Sequence, residues 1–318
     1  MLLQQTKHAL GSTALLTIVV NDEAYGQTLL DSLWQLIDDF ETRFSRFRVD
    51  SELSQFNARA GQFTPISKPF QKLLTAARTK AQDTRGVYNP FILPALQQTG
   101  YVGSWPTPQH FDPQLDYRQR RIHSVDTIEF SAHTARIPAD AAIDFGGIGK
   151  GYLLDELAAS IDGAQVMGYW FSLGGDIICE GLDDAQQEWQ LSIAAADHPT
   201  RSIAGVQNKN GMRVALATSG VTKRGASTGD HAWHHLIDPR TGTSARSDIR
   251  TASVVASRAV DADIYASCAV VLGVAEATSF LAERGCAALL QTTIQTPHSQ
   301  HVHVLGDGIT LQRIRSYA

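Results

Sequence analysis

The sequence predicts an α+β fold. Runs with the period-2 alternation of strands and stripes with the 3.6-residue spacing of helices both recur along the chain. They do not alternate in the regular strand–helix order of a doubly wound parallel sheet. The composition supports a sizeable core: 318 residues, 43% hydrophobic and 19% charged, lie outside the disordered and low-complexity classes.

Taken in order, residues 13–20 are rich in β-branched side chains and read as a strand. Leu29, Leu30, Leu33, Trp34, Ile37 and Phe40 then form a helical stripe. A second helix is expected over residues 70–82, stopping before Gly86. Residues 99–113 are punctuated by Pro and Gly but carry Tyr101, Trp105 and Phe111, so an ordered surface loop is expected. Residues 151–161 read as a helix opened by a glycine-rich turn. Strands are expected at 164–173, 189–195, 213–218, 234–237 and 251–257. A helix over 260–272 leads into a second one, followed by strands at 287–292 and 301–305.

Charge and cysteine usage narrow the function classes. With 27 Lys+Arg against 32 Asp+Glu the net charge is −5, which argues against a nucleic-acid binder that works by neutralising phosphates. The best apolar run, 14–20, is far short of the roughly 18–20 residues of a membrane span, so none is expected. Cys179, Cys268 and Cys286 have no paired spacing, which excludes a disulfide framework and a Cys-type zinc site and leaves buried free thiols. The opening residues lack a charged leader, an apolar core and a small-residue cleavage site, so a cytoplasmic location is expected.

The densest candidate for chemistry is the segment 143–151, where Gly146, Gly147, Gly149 and Gly151 lead into a helix with Lys150 at its start. Such a turn lets backbone approach a ligand, and a helix N-terminus favours an anion. The P-loop pattern fails because Asp144 and Gly151 stand where Gly and Ser/Thr are required; the dinucleotide fingerprint fails at Tyr152. Gly174-Gly175-Asp176 forms a second glycine turn, and Thr218-Ser219 places two hydroxyls at the end of a strand. Asp263 and Ser267, four apart on a helix, project from one face as hard oxygen donors suited to Mg²⁺, although an Asp near a helix start also serves as a cap, as Asp261 could. Neither His231, His234 and His235 nor His298, His301 and His303 supplies the HExxH of a zinc protease. The second set reads as a surface strand edge. Adjacent His234 and His235 face opposite ways, so one can point into a site.

These segments, in order, resemble the FAD:protein FMN transferase (ApbE) family. The resemblance runs through Leu10-Gly11-Ser12, Phe44-Ser45-Arg46-Phe47 and the Ser51 to Asn57 segment. It continues through Gly86-Val87-Tyr88-Asn89-Pro90, 144–152, 173–176 and 217–220, and ends with His235-Leu236-Ile237-Asp238-Pro239-Arg240-Thr241-Gly242 and 262–267. Each motif is common alone, and the ordered set is specific. It implies a T-fold-like α+β protein with mainly antiparallel sheets and packed helices. Because the motifs interleave along the chain, one domain over 1–318 is expected.

The resemblance further implies Mg²⁺ and the substrate FAD, whose FMN half passes to a Ser or Thr hydroxyl of an acceptor flavoprotein with release of AMP. It assigns FAD contacts to Leu10, Phe47, Val87, Tyr88, Asn89, Asp144, Lys150 and the backbone near Ile237. It assigns the metal to the Gly147 carbonyl, Asp263 and Ser267. Phe47 is the aromatic expected to stack on the isoalloxazine ring. Lys150 would offset phosphate charge, and His235 is the candidate base, since imidazole titrates near neutrality. Leu10 replaces the family's Met, Ser12 and Ser267 its Thr, and Asn89 its usual Asp, which keeps a carbonyl acceptor and loses the charge. Arg224 to Thr228 is similar to the acceptor element but lacks its upstream Asp, and reads as loop composition. Two other outcomes share this pocket: an FAD pyrophosphatase giving FMN and AMP, and a non-catalytic flavin-binding protein.

Overall fold

The β-branched run at 13–20 becomes the second strand of an antiparallel sheet in the computed structural model, which describes residues 1–99, 101, 103, 122–222, 225–228, 231–293 and 300–311. That sheet has eight strands: β1 Leu2–Ala9, β2 Ser12–Val20, β3 Val166–Leu173, β4 Asp176–Gly181, β5 Val214–Gly220, β6 Ile249–Ala256, β7 Ala287–Thr293 and β8 Gln300–Leu305. Their spatial order equals their chain order, and each neighbouring pair is antiparallel. Among the described residues the α-helices are α1 Glu23–Phe44, α2 Glu52–Ala58, α3 Lys68–Asp83, α4 Leu93–Gln98, α5 Gly149–Ala159 and α6 Ala259–Ala282. An antiparallel sheet with helices inserted between strands is α+β, as the irregular order of elements implied.

The chain divides into two compact units: Met1–Ile37, Lys150–Thr222 and Ser247–Ala318 form the first, Asp38–Gly149 and Lys223–Arg246 the second. In the first, α6 packs on β5 and β6. Leu216 of β5 joins Ile177, Cys179, Leu191, Ile193, Ile203 and Val206 in a core shared with the three-stranded sheet of Gln190–Ala194, Ser202–Gln207 and Ile309–Leu311. By strand alternation Ala215 and Ala217 point to the opposite face. α6 is long and apolar enough to match a membrane span by composition, a longer apolar element than the run at 14–20, and most of it is buried. Gly273, at φ +76, interrupts it, so a helix to Leu272 and a second beyond it are both present. Asp248 Oδ1 accepts the Val274 N–H at 3.0 Å just past that break. Cys179, Cys268 and Cys286 are buried free thiols, as expected. Burial pushes the Cys179 thiol up to about 12.

The second unit is built on aromatic rings. Phe70 of α3 lies 5.1 Å from Phe56, 5.7 Å from Phe145 and 5.9 Å from Phe44, centroid to centroid. Ser51 caps α2 by accepting the Ser54 N–H, and Ser67 caps α3 by accepting the Phe70 N–H. With Pro69 in its first turn, α3 therefore starts two residues before the expected 70.

Several expectations need correction. β1 carries no strand signature in the sequence, because an edge strand paired on one side needs little apolar alternation. The strands Asp176–Gly181 and Ser202–Gln207 were also not expected. The strand expected at 234–237 is instead His231–His234, a bend at His235, and a separate pair of Ile237–Asp238 with Thr243–Ser244. The Ser244 hydroxyl takes both the N–H and the C=O of His234, at 3.1 and 2.7 Å, which ends the strand there. Trp105, Phe111, Arg224 and His298 lie outside the described residues.

Candidate functional site

In the second unit, two separate segments of the chain are held side by side. Asn57 brackets Ile143, donating to its C=O at 2.8 Å and accepting its N–H at 2.9 Å. One residue on, the Asp144 N–H donates to Pro90 O at 2.8 Å, which aligns the 143–147 segment with Tyr88 and Asn89. Asp144 Oδ2 accepts the Gly146 N–H at 3.1 Å. A Cβ at Gly146 would stand 2.7 Å from that oxygen, so a side chain there would displace the Asp144 carboxylate. A Cβ at Gly147 would meet the Tyr88 ring at 3.4 Å.

Of this unit's other predicted flavin contacts, Phe47 is tied to the same turn through Arg46. Phe47 is 43% exposed, the aromatic face a stacking ligand needs. Arg46 joins it to Asp144: the guanidinium lies 4.3 Å from the Phe47 ring, and its Nε is 3.4 Å from Asp144 Oδ1. Ile237 is buried against Ala95, Leu96 and Tyr101, while Val87 is half-buried. Asn89 uses both ends of its amide internally. Oδ1 accepts the Phe91 N–H and Nδ2 donates to His123 O, each at 3.0 Å. A carboxylate has no donor for the second bond, which gives the Asp-to-Asn departure a physical reason. His234 Nε2 is fixed on Ala245 O at 2.9 Å, and burial holds its imidazole below the usual value. His235, at the bend, is half-buried.

The first unit carries Leu10, Lys150, Asp263 and Ser267. Leu10 and Gly11 form the two-residue turn between β1 and β2 at φ +54 and +66, a left-handed conformation unusual for a branched residue. Lys150 pairs with the buried Asp176, whose Oδ1 accepts the Thr218 N–H at 3.2 Å. Asp263 is 4% exposed and its Oδ2 accepts the Gly151 N–H at 3.0 Å. Ser267 Oγ is 2.8 Å from Ser219 Oγ. Asp263 and Ser267 thus sit one helical turn apart at the end of β5. An aspartate and a hydroxyl suit Mg²⁺, which takes hard oxygens and keeps positions for water and phosphate. Among the described residues no three His, Cys, Asp or Glu cluster as metal ligands. Gly147, the third ligand implied, belongs to the second unit.

Arg46, Asp176 and Ser219 were given no role from the sequence. Arg46 was visible as a cation flanked by aromatics, whereas Asp176 and Ser219 meet Lys150 and Ser267 only through sheet register and helix packing.

An antiparallel α+β protein with a glycine turn against an aromatic–carboxylate cluster, and an Asp–Ser pair on a core helix, is the class that fold and site define. The model of the ApbE family matches residues 10–290, and the chain belongs to that family. A relative from Klebsiella pneumoniae named FAD:protein FMN transferase is 26% identical over 285 residues, 89% of this chain and 84% of its own. One of the same name from Treponema pallidum is 28% identical over 276 residues, 80% and 74% of the two chains. The crystal structure of the ApbE protein from Thermotoga maritima superposes with a TM-score of 0.83 at 19% identity, covering 96% of this chain and 97% of that one. The apo flavinyl transferase ApbE of Pseudomonas stutzeri gives 0.80 at 18%, covering 96% and 95%. Both share the fold.

Proposed function

We propose that this chain is an FAD:protein FMN transferase, moving the FMN half of FAD to a Ser or Thr hydroxyl of an acceptor flavoprotein and releasing AMP. The observation that carries the reading is the second unit's cluster, in which Pro90 O binds the Asp144 N–H and Arg46 links Asp144 to the exposed Phe47 ring. The names borne by the relatives support the same reaction.

The acceptor oxygen forms a bond to the FMN-side phosphorus, and the anhydride bond to AMP breaks, with AMP keeping the electron pair. His235 takes the hydroxyl proton. Lys150, fixed by Asp176 at the start of α5, faces the pyrophosphate charge. Asp263 and Ser267 would hold Mg²⁺, which when bound spreads the charge building on the pyrophosphate oxygens. Asp144 and Phe47 orient the flavin end.

The test incubates the protein with FAD and Mg²⁺, with and without a flavoprotein carrying a Ser/Thr flavinylation motif. Equal amounts of covalent FMN and AMP, formed only with acceptor and lost with chelator, are expected. Free FMN without acceptor would make the chain an FAD pyrophosphatase, and intact FAD in both arms a flavin-binding protein.

A further inference from the structure

Arg46 is charged, yet its side chain is only 8% exposed. A buried guanidinium is costly unless its charge is paired and its N–H groups are bonded. Most of those needs are met inside the second unit. Nε lies 3.4 Å from Asp144 Oδ1, and Nη1 donates to Tyr101 O at 3.1 Å. Two rings lie against the cation, with Cζ 4.3 Å from the Phe47 centroid and 4.6 Å from that of Tyr101. Those rings stand 6.2 Å apart at 68°. Nη2 is the exception: it is buried and has no hydrogen-bond partner among the described residues. A buried donor left unbonded is destabilising, so an acceptor that reaches Nη2 when a ligand binds relieves that cost.

The surroundings specify the ligand. Phe47 and Asp144 are two of the proposed flavin contacts, and Ile237, a third, packs in the same cluster as Tyr101. Arg46 covers one side of the Phe47 ring, and the exposed remainder of that ring is the surface on which a flat heterocycle can stack. We infer that Arg46 is the residue that recognises the flavin ring: it braces Phe47 and Asp144 and offers Nη2 to a carbonyl oxygen of the isoalloxazine. This rests on the flavin-binding reading above. A guanidinium can lie against two rings while its separate N–H groups reach a carboxylate and a backbone carbonyl, so lysine is not an equivalent.

The experiment measures binding of FAD, riboflavin and ADP to the wild type, Arg46→Gln and Arg46→Lys by calorimetry, with the flavin absorption change as a second signal. Both variants should bind FAD and riboflavin at least about tenfold more weakly, lose the spectral change and bind ADP as the wild type does. Retained ADP binding also reports a folded protein. Unchanged flavin affinity in both variants would overturn the inference. So would a loss confined to FAD with riboflavin unaffected, which would mark a phosphate contact, or an equal loss of all three ligands. A wild type that binds neither flavin would sink the proposed function itself.

Discussion

His234 and His235 are neighbours in sequence with different surroundings. The His234 ring is committed to Ala245 O, and burial lowers its pKa, so the folded protein holds it neutral. The unfolded chain takes up that proton near the ordinary value of about 6.5, so its contribution is complete above that pH and is lost as pH falls through the depressed folded value. The stability gap between wild type and His234→Gln should therefore narrow between pH 7.5 and 5 in urea unfolding. Parallel curves would exclude the link. His235 sits at the bend and is the proposed base, so His235→Asn should abolish transfer and leave FAD affinity intact; normal turnover would remove that role. Asn89→Asp should lower stability by about 1–3 kcal/mol, because it sets a carboxylate against the His123 carbonyl in place of a donor. A thermal melt of the variant checks this. The sequence identified Asn89 as a departure; the amide's two partners, 34 residues apart in one case, were not readable from it.

Helices α5 and α6 cap each other. The α6 Asp263 carboxylate accepts the Gly151 N–H of α5, while the α5 Asp155 carboxylate accepts the Ala259 and Val260 N–H groups at 2.8 and 3.2 Å. Burial raises the Asp155 carboxyl above its ordinary value despite those two donors. Arg258, at the N-cap position of α6, makes no side-chain capping bond, and the first N–H groups of the helix are taken by Asp155 from α5. The crossing is close enough that a Cβ on Gly151 would stand 2.5 Å from Ala259 O. Gly151→Ala should thus destabilise the protein by about 1–3 kcal/mol, read as a lowered urea midpoint. If its stability is unchanged, the helices tolerate separation. Asp263 has the same cap to maintain, so Asp263→Asn, whose amide oxygen still accepts, should fold normally and lose Mg²⁺ affinity in calorimetry. Retained affinity would remove Asp263 as a ligand. The i, i+4 spacing of Asp263 and Ser267 was readable from the sequence, whereas the capping partner 112 residues away and the Ser219 hydroxyl were not.

Across the whole molecule, each compact unit is assembled from separated pieces of chain, three for the first and two for the second. Neither can form from one continuous stretch, and we propose that the chain unfolds as a single domain. Far-UV circular dichroism and tryptophan fluorescence should report one coincident denaturant transition, and two separated transitions would divide it. By itself the sequence determined the α+β class, most helices, the buried thiols and, through ordered motifs, the family, because periodicity, punctuation and motif order are local properties of the chain. Only the tertiary structure decided that β1 completes the sheet edge, that the strand stops at His234, that Lys150 is paired with Asp176 and that Arg46 is buried against two rings. Each of those outcomes depends on a partner distant in sequence, and burial and pairing are set by which groups the fold brings within bonding distance.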